Sequence, residues 1–173
     1  MGSLTTLSGQ LFEAIRHGTS IGKSIETPEA GPETPDLAVV DVAYDAVAEA
    51  GFLRSLLMPR FMEVLLGIPA PLRRCFLEAA IAAEDLRALR EFPLLGFALD
   101  TPVVLVGPQP RCAIFRYLLA RHSGIAREIS EVSRVEEVDR LAILGALAVA
   151  QRAGYLSHIP SLWKKGGAAD SPS

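Results

Sequence analysis

Apolar residues recur at every fourth position at Leu7, Leu11 and Ile15, which lays them along one side of a short amphipathic helix. Residues 24–36 break that rhythm with four acidic residues, three prolines and a glycine, the composition of a solvated, mobile linker. An apolar rhythm resumes over residues 37–50. A second block covers 52–66, where Pro59 predicts a break and hence two short helices. After Pro69 and Pro71, the residues Leu72, Phe76, Leu77, Ala80, Ile81 and Leu86 fall on one stripe of a long helix. Arg73, Arg74, Glu78 and Arg87 fall on its outward side.

The character changes after Pro102. Val103, Val104, Leu105 and Val106 form an unbroken apolar run ending at Gly107 and Pro108, which predicts a central strand covered on both faces. Pro110 suits the first turn of a helix whose core stripe is Ile114, Phe115, Leu118 and Leu119, with Arg111, Arg116 and Arg121 in water. Gly124 is the expected stop, residues 125–132 the expected second strand, and Ser133 with Glu136 a capping box for a helix over 134–153. Strand, helix, strand, helix in this order predicts a parallel pair with a right-handed crossover. The expected class is therefore α/β, a helix-rich first part followed by a β-α-β-α unit. The stretch after Trp163 is poor in apolar residues and is expected to be disordered.

Composition narrows the partners. Half of the 173 residues are hydrophobic and 21% are charged, which fits one packed domain. The net charge is −3 and the basic residues are scattered, so neither nucleic acid nor an anionic membrane is an expected partner. Apolar runs are too short to span a bilayer, and no basic segment leads into an apolar one at the amino terminus, so the expected location is cytoplasmic. Cys75 and Cys112 stand alone in apolar helical patterns and read as free thiols.

Local motifs for chemistry are sparse. Gly22-Lys23-Ser24 has the ending of a phosphate-binding loop, but His17 stands where the loop needs a glycine, and a helix precedes it instead of a strand. His17, His122 and His158 are far apart and lack ligands at metal spacing, so no metal is expected. The adjacent acids Glu84/Asp85 and Glu136/Glu137 diverge by about 100° on a helix and cannot flank one substrate. Ser8-Gly9 is a helix start able to offer amides to an anion, although a plain helix cap is the commoner reason for such a pair. Gly107 is placed where ligands of open α/β sheets bind, beyond the carboxyl end of a strand, and a tight strand-to-helix turn explains a glycine there equally well.

Three stretches carry a resemblance when taken in order. TTLSGQLFEAIRHGTSIG at residues 5–22 resembles the T-G-E-L-x-x-L-L stretch, followed by H-S-x-x-G, of 2-dehydro-3-deoxygalactonokinases. GFLRSLLMPRFMEVLLGIPAPLRRCFLEAAIAAEDL is similar without gaps to their L-F-x-V-R-x-x-x-x-L-G-x-L-P region and the helix after it, with Arg60, Leu65, Pro69, Phe76 and Leu77 in matching places. PVVLVGPQPRCAIFRYLLARHSGI resembles their L-V-G-x-x-x-L-C-x-x-Y strand and helix through Leu105, Val106, Gly107 and Cys112.

The resemblance spans most of residues 5–150 and only the carboxy-terminal half of such a kinase. It implies a single lobe of actin/hexokinase-like type, with ATP and magnesium as the family's cofactors. Gly107 and Pro108 would face adenosine, with Ala79 and Ala83 on the helix where the family has glycines. Ser8, Gly9, Gln10 and Arg60 would lie at the substrate cleft between lobes. The implied organisation is a cleft-side strand/helix segment at 1–22, an acidic linker at 23–36, a nucleotide-side lobe at 37–157 and a tail at 158–173. The family's Gly-Glu is here Gly9-Gln10, and methyl groups at Ala79 and Ala83 are expected to weaken nucleotide binding. The phosphate-gripping D-x-G-[ST] turn does not occur in the sequence, so the chain is expected to be inactive alone. A separate amino-terminal kinase lobe or a homo-oligomer is the implied partner. The alternative is a noncatalytic, kinase-derived interaction or regulatory module.

Overall fold

The computed structural model describes residues 6–26, 34–96, 102–123 and 128–156, which form a mostly helical α/β arrangement with one small parallel sheet. The spacing of Leu7, Leu11 and Ile15 does yield a helix, α1 (Ser8–Gly18), with Phe12 and Ile15 buried. Thr19 ends it by donating its hydroxyl to the Ile15 carbonyl at 2.8 Å. The same oxygen accepts from the amides of Ile21 and Gly22 and so starts α2 (Ser20–Ile25). The turn is tight enough that a Cβ on Gly22 would lie 1.9 Å from the Arg16 carbonyl oxygen. Two expectations change here. Residues 6–22 hold helices and no strand, and Ser24 and Ile25 are buried in α2 instead of opening a linker. Residues 27–33 lie outside the described part.

Asp36 starts α3 (Leu37–Ala50) by accepting from the amides of Ala38 and Val39. The next apolar block forms two short helices, α4 (Phe52–Ser55) and α5 (Met58–Leu66). Their break falls at Leu56 and Leu57. Pro59 sits in the first turn of α5, where its missing N–H leaves no helical bond unmade. Gly67 closes α5 at φ 62°, a left-handed cap that suits glycine.

The hub is α6 (Ala70–Leu89). Phe76, Ala79, Ala80 and Ala83 pack into a cluster with Val40, Ala43 and Val47 of α3. Leu77 and Ile81 face a second cluster with Phe12, Ile15 and Ile25. A helix that is apolar on two sides has to be central, and small alanines let α3 approach closely. Arg73 corrects the outward assignment of its stripe. It donates to the carbonyls of Ser24 and Ile68 and pairs with Glu63 at 3.7 Å, leaving its side chain only 11% exposed. Carbonyls at the ends of α2 and α5 need a donor, a tertiary demand that helical periodicity does not record.

β1 (Val103–Val106) pairs in parallel with β2 (Ile129–Val132), Val103 opposite Ile129 and Val106 opposite Val132. Between them run α7 (Gln109–Leu118), with Ile114 and Leu118 buried, and a π-helical turn, Leu119–Ser123. The expected central strand is overturned. Val103 and Leu105 pack on the core, but Val104 and Val106 are 58% and 52% exposed in a sheet of two strands among the described residues. An apolar run by itself does not distinguish one covered face from two. The capping box also fails to form: α8 (Val135–Arg152) starts after Arg134 with no side chain bonded to its first amides. Gly124, residues 125–127 and the tail from 157 lie outside the described part. No described helix is long and apolar enough to cross a membrane.

Candidate functional site

The carboxyl end of β1 opens on a cleft of about 220 Å³ between α1, α6 and α7. Phe12, Pro71, Pro108, Pro110 and Ile114 give it apolar walls, while Glu13, Arg74, Glu78 and Arg111 supply charge. Gly107 leads the chain into it at φ 154°, a conformation that disfavours a side chain. Its amide donates to the Val132 carbonyl and its own carbonyl accepts from the Cys112 thiol, so both backbone groups are held. Pro108 follows as a cleft wall and as the N-cap of α7.

Arg111 is the cation to notice. It makes no ion pair or side-chain hydrogen bond among the described residues, and it stands beside α1: a Cβ on Gly9 would meet its Nη1 at 3.6 Å. No acidic residue occupies the first turn of α7, and no side chain caps its amides. Guanidinium and helix start thus add positive potential on one side of the cleft. Arg74 is different, because Glu78 takes its Nε at 3.0 Å and its guanidinium lies 5.7 Å over the Phe12 ring. Cys75 also faces the cleft, where burial pushes its thiol up to about 11 and makes it a poor nucleophile at neutral pH. Burial raises Cys112 as well.

The fold thus brings some implied site residues together and separates others. Pro108 and Gly9 both adjoin Arg111, although they are far apart in sequence, while Gly107, Ser8 and Gln10 are not among the residues that line the cleft. Arg60 lies elsewhere, paired with Glu63 at 2.5 Å on α5. There Glu63 also accepts from Ser24 at 2.6 Å, and that bond, with Arg60, holds its carboxyl below the usual range. Ala79 and Ala83 are sealed in the seam between α6 and α3. The cleft sets apolar walls beside the Arg111 guanidinium. It offers magnesium no unengaged carboxylate, since Glu78 holds Arg74 and Glu13 lies beside Arg16 and His17.

The chain matches no protein-family model, no curated protein and no solved structure. Its reading therefore rests on its own residues.

A second polar cluster has no signal in the sequence. Asp41 of α3 accepts from the Tyr117 hydroxyl at 2.8 Å across a separation of 76 residues, a bond that raises the Tyr117 pKa. Arg121 approaches the other carboxylate oxygen at 3.3 Å and His122 at 3.6 Å, while His122 stacks on Tyr44 with centroids 3.7 Å apart. Arg90 joins Tyr44 to the His122 carbonyl. These contacts fasten the π-helical turn to α3 and α6, and on their far side Tyr44 and Arg90 border a shallow cavity of about 550 Å³ with Glu49 and Arg87.

Proposed function

We propose that this chain acts as the nucleotide-side lobe of an ATP-dependent sugar-acid kinase of the 2-dehydro-3-deoxygalactonokinase kind, without turnover of its own. One observation carries the reading. Pro108, which the resemblance places at adenosine, and Gly9, which it places at the interlobe cleft, both adjoin Arg111: the Arg111 amide donates to the Pro108 carbonyl, and a Cβ on Gly9 would lie 3.6 Å from its Nη1. Proline and phenylalanine walls suit a flat purine, and a guanidinium without an ion pair or side-chain hydrogen bond among the described residues suits a phosphate.

Ligand pockets usually enclose about 300–1,000 Å³. At about 220 Å³ this cleft is smaller than that and has room for part of a nucleotide, so weak binding is expected. Phosphoryl transfer further needs groups that position the phosphates and metal, and the D-x-G-[ST] turn that does so in the resembled kinases does not occur in this sequence.

A second reading, a noncatalytic module derived from such a kinase, is favoured by Ala79 and Ala83, which α3 closes off where the resembled kinases carry glycine. Saturation-transfer NMR with ADP separates the two. Millimolar binding that is lost in Arg111→Glu and in Gly107→Val supports the nucleotide-side lobe. Silence up to about 10 mM ADP, or binding indifferent to both changes, overturns it in favour of the module. A coupled assay with ATP, magnesium and 2-dehydro-3-deoxygalactonate is expected to read no turnover above background.

A further inference from the structure

α8 is apolar on most of its circumference, yet no residue along its 18 positions is buried. Such a helix is ordinarily covered. Its inner side is half-covered through Leu144 and Leu147, but the outer stripe of Glu137, Leu141, Gly145, Ala148 and Arg152 is exposed throughout, with Val149 beside it 68% exposed. The steps of four, four, three and four residues put that stripe on one helix face.

The stripe is complementary to its own reversal. Laid antiparallel about a two-fold axis near Gly145, Glu137 of one copy meets Arg152 of the other and Leu141 meets Ala148. At the centre Gly145, with nothing within 4 Å of a Cβ built there, lets the two helices approach. Acid at the helix start and base at its end are each favoured by the dipole, and antiparallel pairing aligns them twice per dimer. Arg152 forms no ion pair among the described residues, and Glu137 has only the exposed Arg134 at 3.9 Å, a contact of little worth.

From this geometry we infer that the chain forms a two-fold homodimer through the outer face of α8, with Glu137 and Arg152 fixing the antiparallel register. The inference is independent of the kinase-lobe reading. One helix about 27 Å long provides less than the roughly 800 Å² per partner of a standard interface, so association is in the micromolar range.

The test is sedimentation equilibrium of the full chain at 1–100 μM (about two decades around the expected constant), with far-UV circular dichroism to verify folding. Wild type should reach twice the 18.5 kDa chain mass. Leu141→Glu should weaken association at least tenfold with an unchanged spectrum. Glu137→Arg and Arg152→Glu should each weaken it, and the double reversal should restore it, because each reversed charge again faces its opposite. Gly145→Cys should form a disulfide dimer on oxidation, uncomplicated by Cys75 and Cys112, which are buried. A wild-type chain that stays monomeric at 100 μM overturns the proposal and leaves α8 to a different partner. So does a dimer insensitive to Leu141→Glu, or a double reversal no better than the singles.

Discussion

Replacing Gly22 with alanine should destabilise the protein sharply, although alanine ordinarily strengthens a helix. The added Cβ would lie 1.9 Å from the Arg16 carbonyl oxygen, 2.6 Å from its carbon and 2.8 Å from the Ile15 oxygen. All three are backbone atoms, so no side chain can rotate away and the turn between α1 and α2 must open. Opening it disturbs the two bonds through which Thr19 caps α2, and it shifts Ile25 out of its cluster with Phe12 and Leu77. Overpacking against rigid backbone costs about 3 kcal/mol, at the upper end of the usual range. For a domain of this size, that lowers Tm by roughly 6–12 °C. Gly18→Ala is the control, because nothing lies within 4 Å of its Cβ position and it ends α1. There a small gain of up to about 1 kcal/mol is expected. Thermal melts followed by circular dichroism compare the pair. A Gly22→Ala melt within about 2 °C of wild type, or equal effects at the two sites, would refute the close approach of α2 to the end of α1.

Other expectations follow from single contacts. Val104→Asp should shift stability by less than about 1 kcal/mol in urea titrations, because the side chain is 58% exposed; a cost of several kcal/mol would place β1 in a buried sheet instead. Glu63 has its carboxyl pKa lowered in the fold, chiefly by the Ser24 hydroxyl and Arg60. Its contribution is therefore present above its unfolded value near 4.5 and is lost as pH falls through the lower folded value. Glu63→Gln should flatten stability below about pH 5, and an unchanged acid limb would show that the Ser24–Glu63–Arg60 contacts do not form. With the Cys75 thiol raised to about 11 and nearly buried at the cleft wall, Ellman's reagent at pH 8 should label it far more slowly in the native protein than in the urea-unfolded chain; equal rates would contradict its burial.

The repeating patterns of the chain were enough to determine several of its helices, though not α2, whose end fell in the expected linker. Fourfold apolar spacing marks α1, the stripe from Leu72 to Leu86 marks α6 and the run around Ile114 marks α7, because a helix with one buried side needs that period. The parallel order of β1 and β2 was also legible, since a helix between two strands leaves room for little else. What the sequence left open is whatever depends on a second element. Arg73 looks like a solvated residue until the carbonyls of Ser24 and Ile68 are brought beside it. Val104 looks buried until the sheet proves to have only two strands among the described residues. The cleft exists only because α1 and α7, nearly a hundred residues apart, pack on the same hub and place Gly9 beside Arg111. Periodicity reports how one helix or strand divides between core and water. Which groups meet is decided by tertiary packing, since it alone determines which of the remaining backbone and side-chain groups are left to find partners.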